Sequence, residues 1–275
     1  GIIRTINFNL ENRMKEKNET LNYININVNK FHTFLDRFSQ FDENLLLEIT
    51  PDEFYSRTYT PDRSAIKYSA LNLEEILQVN EEYVPDNLKV GIINVKHYQQ
   101  ALKFLESSDH VSMKITYLKL AGLDIEEEYV AMKTTLNNNK DLQFSFDNGS
   151  LSIYGIITNE KFFNEISNIP EPIFEFDLSL EDLTKIKKFS NIDKINNDIY
   201  AKYHENSVTF GNKNFEYKLA SQKNKGNADI SASFPKNYLN MLDHESYNVK
   251  VGHTKLIFMS LDSKTILVVG RNDSK

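Results

Sequence analysis

The sequence predicts an α+β protein built from antiparallel sheets with a small number of amphipathic helices. Three observations predict it. Apolar and polar residues alternate with period two over many short stretches, polar turns rich in Asn, Asp, Gly and Ser separate those stretches, and only four windows carry a helical period, each just after a strand. Alternation puts every second side chain on one face of a pleated strand, whereas an apolar stripe at i, i+3 and i+7 lies along one side of a helix.

The clearest alternation falls at residues 23–27, 65–68, 111–115 and 215–219. Turns are expected at 137–141, 147–150, 204–207, 211–214 and 262–264, so neighbouring strands join as hairpins. The first helical window aligns Val28, Phe31, Phe34, Leu35, Phe38 and Phe41, with Lys30, Thr33, Arg37 and Gln40 on the reverse. The second aligns Val95, Tyr98, Leu102 and Leu105 against Lys96, Gln100 and Lys103. The third opens on Ser179 and Asp182, a pair resembling a capping box. It buries Leu183 and Ile186 with Phe189 beside them and leaves Lys187 and Lys188 outside; Lys185 is expected nearer the buried stripe. The fourth is short, residues 235–242, with Pro235 in the first turn, where a missing amide proton costs nothing. Tyr238, Leu239 and Leu242 point inward there, and Lys236 and Asn240 outward.

Alternation lapses between residues 148 and 176, and Pro170 and Pro172 mark a linker. The expected organisation is an N-terminal extension or added strand at residues 1–20, one domain at 21–154, a connector at 155–172 and a second domain at 173–275. Each half runs strand, helix and several strands twice over, a structural quasi-repeat with little residue identity.

Composition excludes several classes of function. The 275 residues are 40% hydrophobic, with 18 Phe and 14 Tyr, which is ample for a buried core. Cysteine is absent, so disulfides and thiolate chemistry are excluded. The expected setting is cytoplasmic and away from membranes, because no apolar run approaches ~18 residues and no basic-then-apolar leader is present. The nine glycines form neither GxGxxG nor GxxxxGK[ST], and the six histidines show no i, i+4 pair. Asp243, His244, Glu245 and Ser246 are adjacent in a turn and cannot converge on one reacting atom. Asp124, Glu126, Glu127 and Glu128 read as a solvated acidic loop, since metal ligands come from separated positions that enclose an ion. No catalytic residue, metal site or cofactor is expected.

Charge is segregated. The four helical windows hold eight bases (Lys30, Arg37, Lys96, Lys103, Lys185, Lys187, Lys188 and Lys236) and four acids (Asp36, Glu106, Glu181 and Asp182), a net +4 in a chain of net −7. Lysine ordinarily populates solvated helix faces, so any one of these is unremarked; the same asymmetry in four helices is the functional clue. Flexible point charges suit sequence-independent phosphate contact more than readout of base edges.

The order of elements resembles a known family, the ring-shaped DNA sliding clamps, in the two-domain trimeric type of tailed phages and proliferating cell nuclear antigen. The resemblance spans residues 21–272 and is best in the second half: residues 174–183 leading into 185–189, the strands at 199–203, 207–210 and 215–221, then 231–234, the short helix and the strands at 247–251, 256–259 and 266–269. In the first half, residues 88–94, the helix at 95–105 and the strand at 111–117 look like the second repeat of a clamp domain. The resemblance implies a DNA-clamp fold: two similar domains, each with antiparallel sheets outside and two helices inside. It implies no enzyme, but a homotrimer around double-stranded DNA that tethers a DNA polymerase and is opened by a clamp loader, in the cytoplasm of an infected bacterium if the source is a phage.

Carried onto this sequence, the family assigns DNA-facing roles to Lys30, Arg37, Lys96, Lys103, Lys187, Lys188 and Lys236. It assigns subunit contacts to Leu142, Phe144 and Phe146 on one edge strand and to Phe215, Tyr217 and Leu219 on another. It assigns partner-peptide contacts to the neighbourhood of Pro170, Pro172, Gly270 and Arg271. If about four to six phosphates are neutralised at once, log affinity for open-ended DNA falls against log salt with a slope of roughly −4 to −5. Two other classes stay open: a non-ring viral processivity or single-strand-binding protein, which would present stacked aromatics along a groove, and a virion structural β-protein with Lys-rich helices.

Overall fold

A computed structural model of the chain describes residues 19–79, 84–122, 125–149, 160–220, 225–226 and 229–273. The expected N-terminal extension up to residue 18, the start of the connector at 155–159 and Asp124 lie outside them. The chain divides into two compact units, Gly1–Thr58 with Ser69–Thr158, and Tyr59–Tyr68 with Asn159–Lys275. The segment Tyr59–Tyr68, expected within the first domain, thus belongs to the second unit.

From the start of the described residues to the connector the chain runs β1 (Glu19–Ile26), α1 (Val28–Asp36), β2 (Leu45–Ile49), β3 (Glu53–Tyr59), β4 (Ala65–Asn72, of which Ala65–Tyr68 falls in the second unit), α2 (Leu73–Ile76), β5 (Leu77–Val79), β6 (Leu88–Ile92), α3 (Val95–Leu105), β7 (Ser112–Gly122), β8 (Ile125–Asn137) and β9 (Gln143–Asp147). The strands of the first unit other than β4 pair in the order β3-β2-β6-β8-β7-β1-β5, with β9 on β8. All these pairs are antiparallel except a short parallel contact of Leu88 and Lys89 with Tyr129 and Val130.

The helices lie where the apolar stripes require. Phe31, Phe34 and Leu35 of α1 and Tyr98, Leu102 and Leu105 of α3 are almost fully buried in one core with Leu21, Leu47, Val90 and Ile115 from the strands. The Asn27 side chain accepts the Lys30 N–H at 3.1 Å and so caps the start of α1. The Arg37 N–H is shared between the Thr33 and Phe34 carbonyls, which ends the helix, while Phe38 and Phe41 stay buried in the turns beyond. Asn94 precedes α3 with φ 58°, a left-handed conformation that Asn tolerates.

The acidic segment corrects the expected loop. Its backbone opens β8, with Gly122 opposite Ile125 and Leu120 opposite Glu128. Strand pairing uses main-chain groups, which a run of carboxylates does not remove.

The second unit runs α4 (Glu160–Ile166), β10 (Phe174–Leu178), α5 (Leu180–Ile192), β11 (Asp198–His204), β12 (Ser207–Gly211), β13 (Glu216–Lys218), β14 (Lys225–Gly226), β15 (Ile230–Pro235), a 3-10 helix (Lys236–Met241), β16 (Tyr247–Val251), β17 (Lys255–Ser260) and β18 (Thr265–Gly270). Its sheets follow the orders β14-β10-β16-β17-β18 and β13-β12-β11-β15, antiparallel throughout. Leu183 and Ile186 of α5 and Leu239 of the 3-10 helix are buried with Phe176, Phe210, Phe234 and Phe258.

Three expectations change in this unit. The fourth helix is a 3-10 helix with Pro235 as its extended N-cap and the last residue of β15. Ser179 caps α5 by accepting the Asp182 N–H at 3.1 Å, but the Asp182 carboxylate is 2% exposed and takes the Tyr217 hydroxyl at 2.6 Å instead of completing a capping box. The connector is half helical: α4 buries Phe163 against Tyr68, Ile169 packs on Ile257 and Val268, and the Lys255 ammonium donates to the Ile166 carbonyl at 2.5 Å.

Candidate nucleic-acid face and open strand edges

The cationic residues expected to face DNA fall into two groups. Lys30, Lys96, Lys103 and Lys188 are exposed, and the contact of Lys30 with Glu75 is long, at 3.9 Å. Lys96 and Lys103 line a groove of about 820 Å³ between α1 and α3, together with His32, Asp36, Gln99, Gln100 and Phe104. Its walls carry two amines, two amides, an imidazole, a phenyl ring and one carboxylate, which Gln99 already engages at 3.2 Å. Such a surface offers point charges and exchangeable donors to an anionic backbone.

Arg37, Lys187 and Lys236 are half-buried, and the protein uses their charge internally. Arg37 donates to the Ser69 hydroxyl at 2.9 Å. The Lys187 ammonium donates to the Leu242 carbonyl at 2.5 Å, and burial lowers its pKa from the ordinary lysine value, partly opposed by Asp243. The Lys236 ammonium donates to the Ser190 carbonyl at 3.2 Å and to that of Asp193. These carbonyls sit at the end of α5, where no N–H in the helix is available to them and the dipole favours a cation. Lys185, expected near the buried stripe, is instead exposed and pairs with Glu181 one turn back at 3.1 Å. The helical period places Lys187 outside because it carries no information about a carbonyl from another element within reach of a long stem.

The edge-strand candidates lie on edges. β9 pairs with β8 alone and β13 with β12 alone among the described residues. Leu142, Phe144 and Phe146 are half-buried on one side of β9; Phe215 and Tyr217 are half-buried and Leu219 is buried on the corresponding side of β13. Each edge is backed by a helix through aromatic contacts. Tyr98 stacks on Phe146 at 4.3 Å and Phe104 on Phe144 at 6.2 Å. Phe189 meets Phe215 at 6.1 Å and Tyr217 at 5.9 Å.

Sequence reasoning misses this place for Phe104 and Phe189. They are 70% and 38% exposed, and the available signal was a large apolar residue on the polar side of the helical wheel for Phe104 and at the margin of the apolar stripe for Phe189. The Tyr217 hydroxyl, held by Asp182, has its pKa pushed up to about 12, chiefly by that hydrogen bond. Gly211 lets the β12–β13 hairpin close tightly, since a Cβ there would stand 2.4 Å from the Phe215 carbonyl oxygen.

The partner-contact candidates divide similarly. Pro170 is exposed and Pro172 half-buried. The Gly270 N–H donates to the Ser64 carbonyl at 3.1 Å. The Arg271 guanidinium is held by Asp273 at 2.8 Å, the Gly252 carbonyl at 3.0 Å and the Ser231 carbonyl at 3.3 Å, so it anchors the last strand's end. Among the described residues no group of three His, Cys, Asp or Glu side chains could hold a metal ion. Asp243 forms a 2.8 Å ion pair with Lys67, whose side chain is 1% exposed.

No family profile and no curated protein sequence matches the chain. Solved structures do. The PCNA2–PCNA3 complex of Sulfolobus tokodaii matches at 15% identity with a TM-score of 0.60, covering 92% of this chain and 99% of that one. PCNA of Thermococcus kodakaraensis matches at 11% identity and TM-score 0.62, covering 92% and 100%. The proliferating cellular nuclear antigen of Entamoeba histolytica matches at 14% identity and TM-score 0.60, covering 91% and 98%. With the helix-backed sheets of both units included in that span, the chain has the fold of the PCNA-type sliding clamps.

Proposed function

We propose that the chain is one subunit of a homotrimeric ring that encircles duplex DNA without reading its sequence and tethers a DNA polymerase for processive synthesis. The observation that carries this reading is the pair of open edges, β9 in one unit and β13 in the other, each bearing apolar residues on the helix-backed side. An edge of that kind invites pairing unless a partner covers it. Two different edges on one chain make a head-to-tail contact, which closes into a ring when the rotation between subunits allows.

Exposed lysines supply the second half of the mechanism. Lys30, Lys96, Lys103, Lys185 and Lys188 stand exposed on helix surfaces, Lys185 in a surface pair with Glu181. They hold a polyanion by weak, interchangeable contacts that let it slide. Retention on closed DNA then comes from topology, and a loader protein is needed to open the ring. The chain acts as a scaffold rather than a catalyst.

Size-exclusion chromatography with light scattering tests the assembly. The expected mass is near three times the chain's 32.0 kDa. A monomer throughout the micromolar range contradicts the reading.

A further inference from the structure

The open edges also constrain how two copies meet. On β9, the Asn148 N–H donates to the Met132 carbonyl and the Leu142 carbonyl accepts from Asn138. Even-numbered residues therefore turn their backbone groups toward β8. By strand alternation the backbone groups of Gln143, Ser145 and Asp147 point outward. On β13, the Leu219 N–H donates to the Val208 carbonyl and the Phe215 carbonyl accepts from Asn212. Odd-numbered residues there face β12, which leaves Asn214, Glu216 and Lys218 pointing outward.

Opposed residues of an antiparallel pair exchange both hydrogen bonds only where both point into the gap. This admits registers that set an odd residue of β9 against an even residue of β13 and excludes every one-residue slip.

In the ring reading, on which this rests, β9 of one copy pairs antiparallel with β13 of a second copy, and we infer that the register is Ser145 opposite Glu216. That register stacks Leu142 on Leu219, Phe144 on Tyr217 and Phe146 on Phe215, all in the closer, non-hydrogen-bonded positions. On the other face it sets Gln143 opposite Lys218 and Asp147 opposite Asn214, with no like charges paired. A slip of two residues one way brings Asp147 against Glu216; the other way sets Phe146 against Lys213. The same register joins two existing ring pairs, Phe104 with Phe144 and Tyr217 with Phe189, into one aromatic row across the joint. It accounts for two phenylalanines that a lone subunit leaves 70% and 38% exposed.

The chain has no cysteine, so engineered thiols report the register directly. Full-length chains carrying Ser145→Cys or Glu216→Cys are mixed, reconcentrated and oxidised. Opposed residues stand about 5.5 Å apart between Cα atoms, within disulfide reach, whereas positions two residues off lie beyond about 7 Å. The expected result is a disulfide-linked dimer at least ~10-fold more abundant than with Ser145→Cys mixed with Asn214→Cys or Lys218→Cys.

Dominant linkage at 214 or 218, or no linkage in a preparation that light scattering shows to be oligomeric, overturns the register and leaves the ring reading standing. A monomeric preparation overturns both. As a second measurement, Phe104→Ala and Phe189→Ala, both at exposed positions, each raise the concentration at which subunits dissociate by roughly 3- to 10-fold. An unchanged dissociation concentration for both overturns the aromatic row.

Discussion

The exposed surfaces of α3 and α5 look alike as sequences and differ as chemistry. Lys96 and Lys103 of α3 end in solvent beside an amide-lined groove. On α5 the corresponding set of lysines is split: Lys185 and Lys188 are exposed, while Lys187 is tied to a carbonyl, as is Lys236 from the following 3-10 helix. The difference shows that formal charge on a helical wheel overstates the charge a ligand can meet. A cation already seated on helix-terminal carbonyls is part of the fold.

Stability should separate the two sets of lysines most strongly. Lys187→Met and Lys236→Met keep most of the stem and remove the ammonium, the first taking the donor from the Leu242 carbonyl after the 3-10 helix and the second from the Ser190 and Asp193 carbonyls at the end of α5. Each is expected to cost about 1–3 kcal/mol in urea unfolding. Lys96→Met and Lys103→Met are expected to stay within about 0.5 kcal/mol of the parent. Equal losses at all four positions would erase the distinction.

Tyr217→Phe comes next. It strands the buried Asp182 carboxylate without its 2.6 Å donor and is expected to cost about 1–3 kcal/mol, with hydrogen exchange of the β13 amides accelerated relative to those of β9. Unchanged protection in β13 would show that the hydroxyl does not hold this edge.

On the proposed function, DNA binding should divide the same lysines. On short linear duplexes, replacing Lys96, Lys103, Lys185 and Lys188 together by Ala should lower affinity and flatten the salt dependence by roughly 0.9 for each phosphate no longer neutralised. Substituting Lys187 alone should leave that slope unchanged. The reverse ranking would place the DNA-facing charge at Lys187 after all.

The smallest effect is a pH dependence confined to the second unit. Hydrogen bonds from Asn196 and from the Ile195 and Asn196 amides hold the Asp193 carboxyl well below its ordinary value of 3.8. A carboxyl depressed in the folded state contributes stability that is complete above its unfolded pKa and is lost as pH falls through the folded one. The acid limb of an unfolding titration should therefore flatten in Asp193→Asn below about pH 4, while the plateau above it keeps its shape. An unchanged acid limb would mean that the amide cage does not persist in solution.

Much of this was legible in the residues. The stripe of Phe31, Phe34 and Leu35 and that of Tyr98, Leu102 and Leu105 place both helices of the first unit, because burial follows the 3.6-residue period. Alternation and turn chemistry marked the segments that became β9 and β13, and the backing aromatics confirm which side of each is covered. What sequence periodicity does not carry is the reach of one side chain to another element. Arg37, Lys187, Lys236 and Arg271 all sit on polar positions, and all four are engaged by groups distant in the chain. Phe189 shows the converse, since an apolar residue at the margin of the stripe is left on the surface next to an edge strand. The connector misled because two prolines advertised a loop, while α4 ends four residues before the first of them.

The functional reading stands or falls on whether free lysines on helix faces line the opening of a closed ring. Electron-microscopy class averages of the purified full-length chain decide this. A threefold ring with a central hole wide enough for double-stranded DNA is the expected result. Particles without a hole, or with the helix faces of both units on the outer rim, would contradict it.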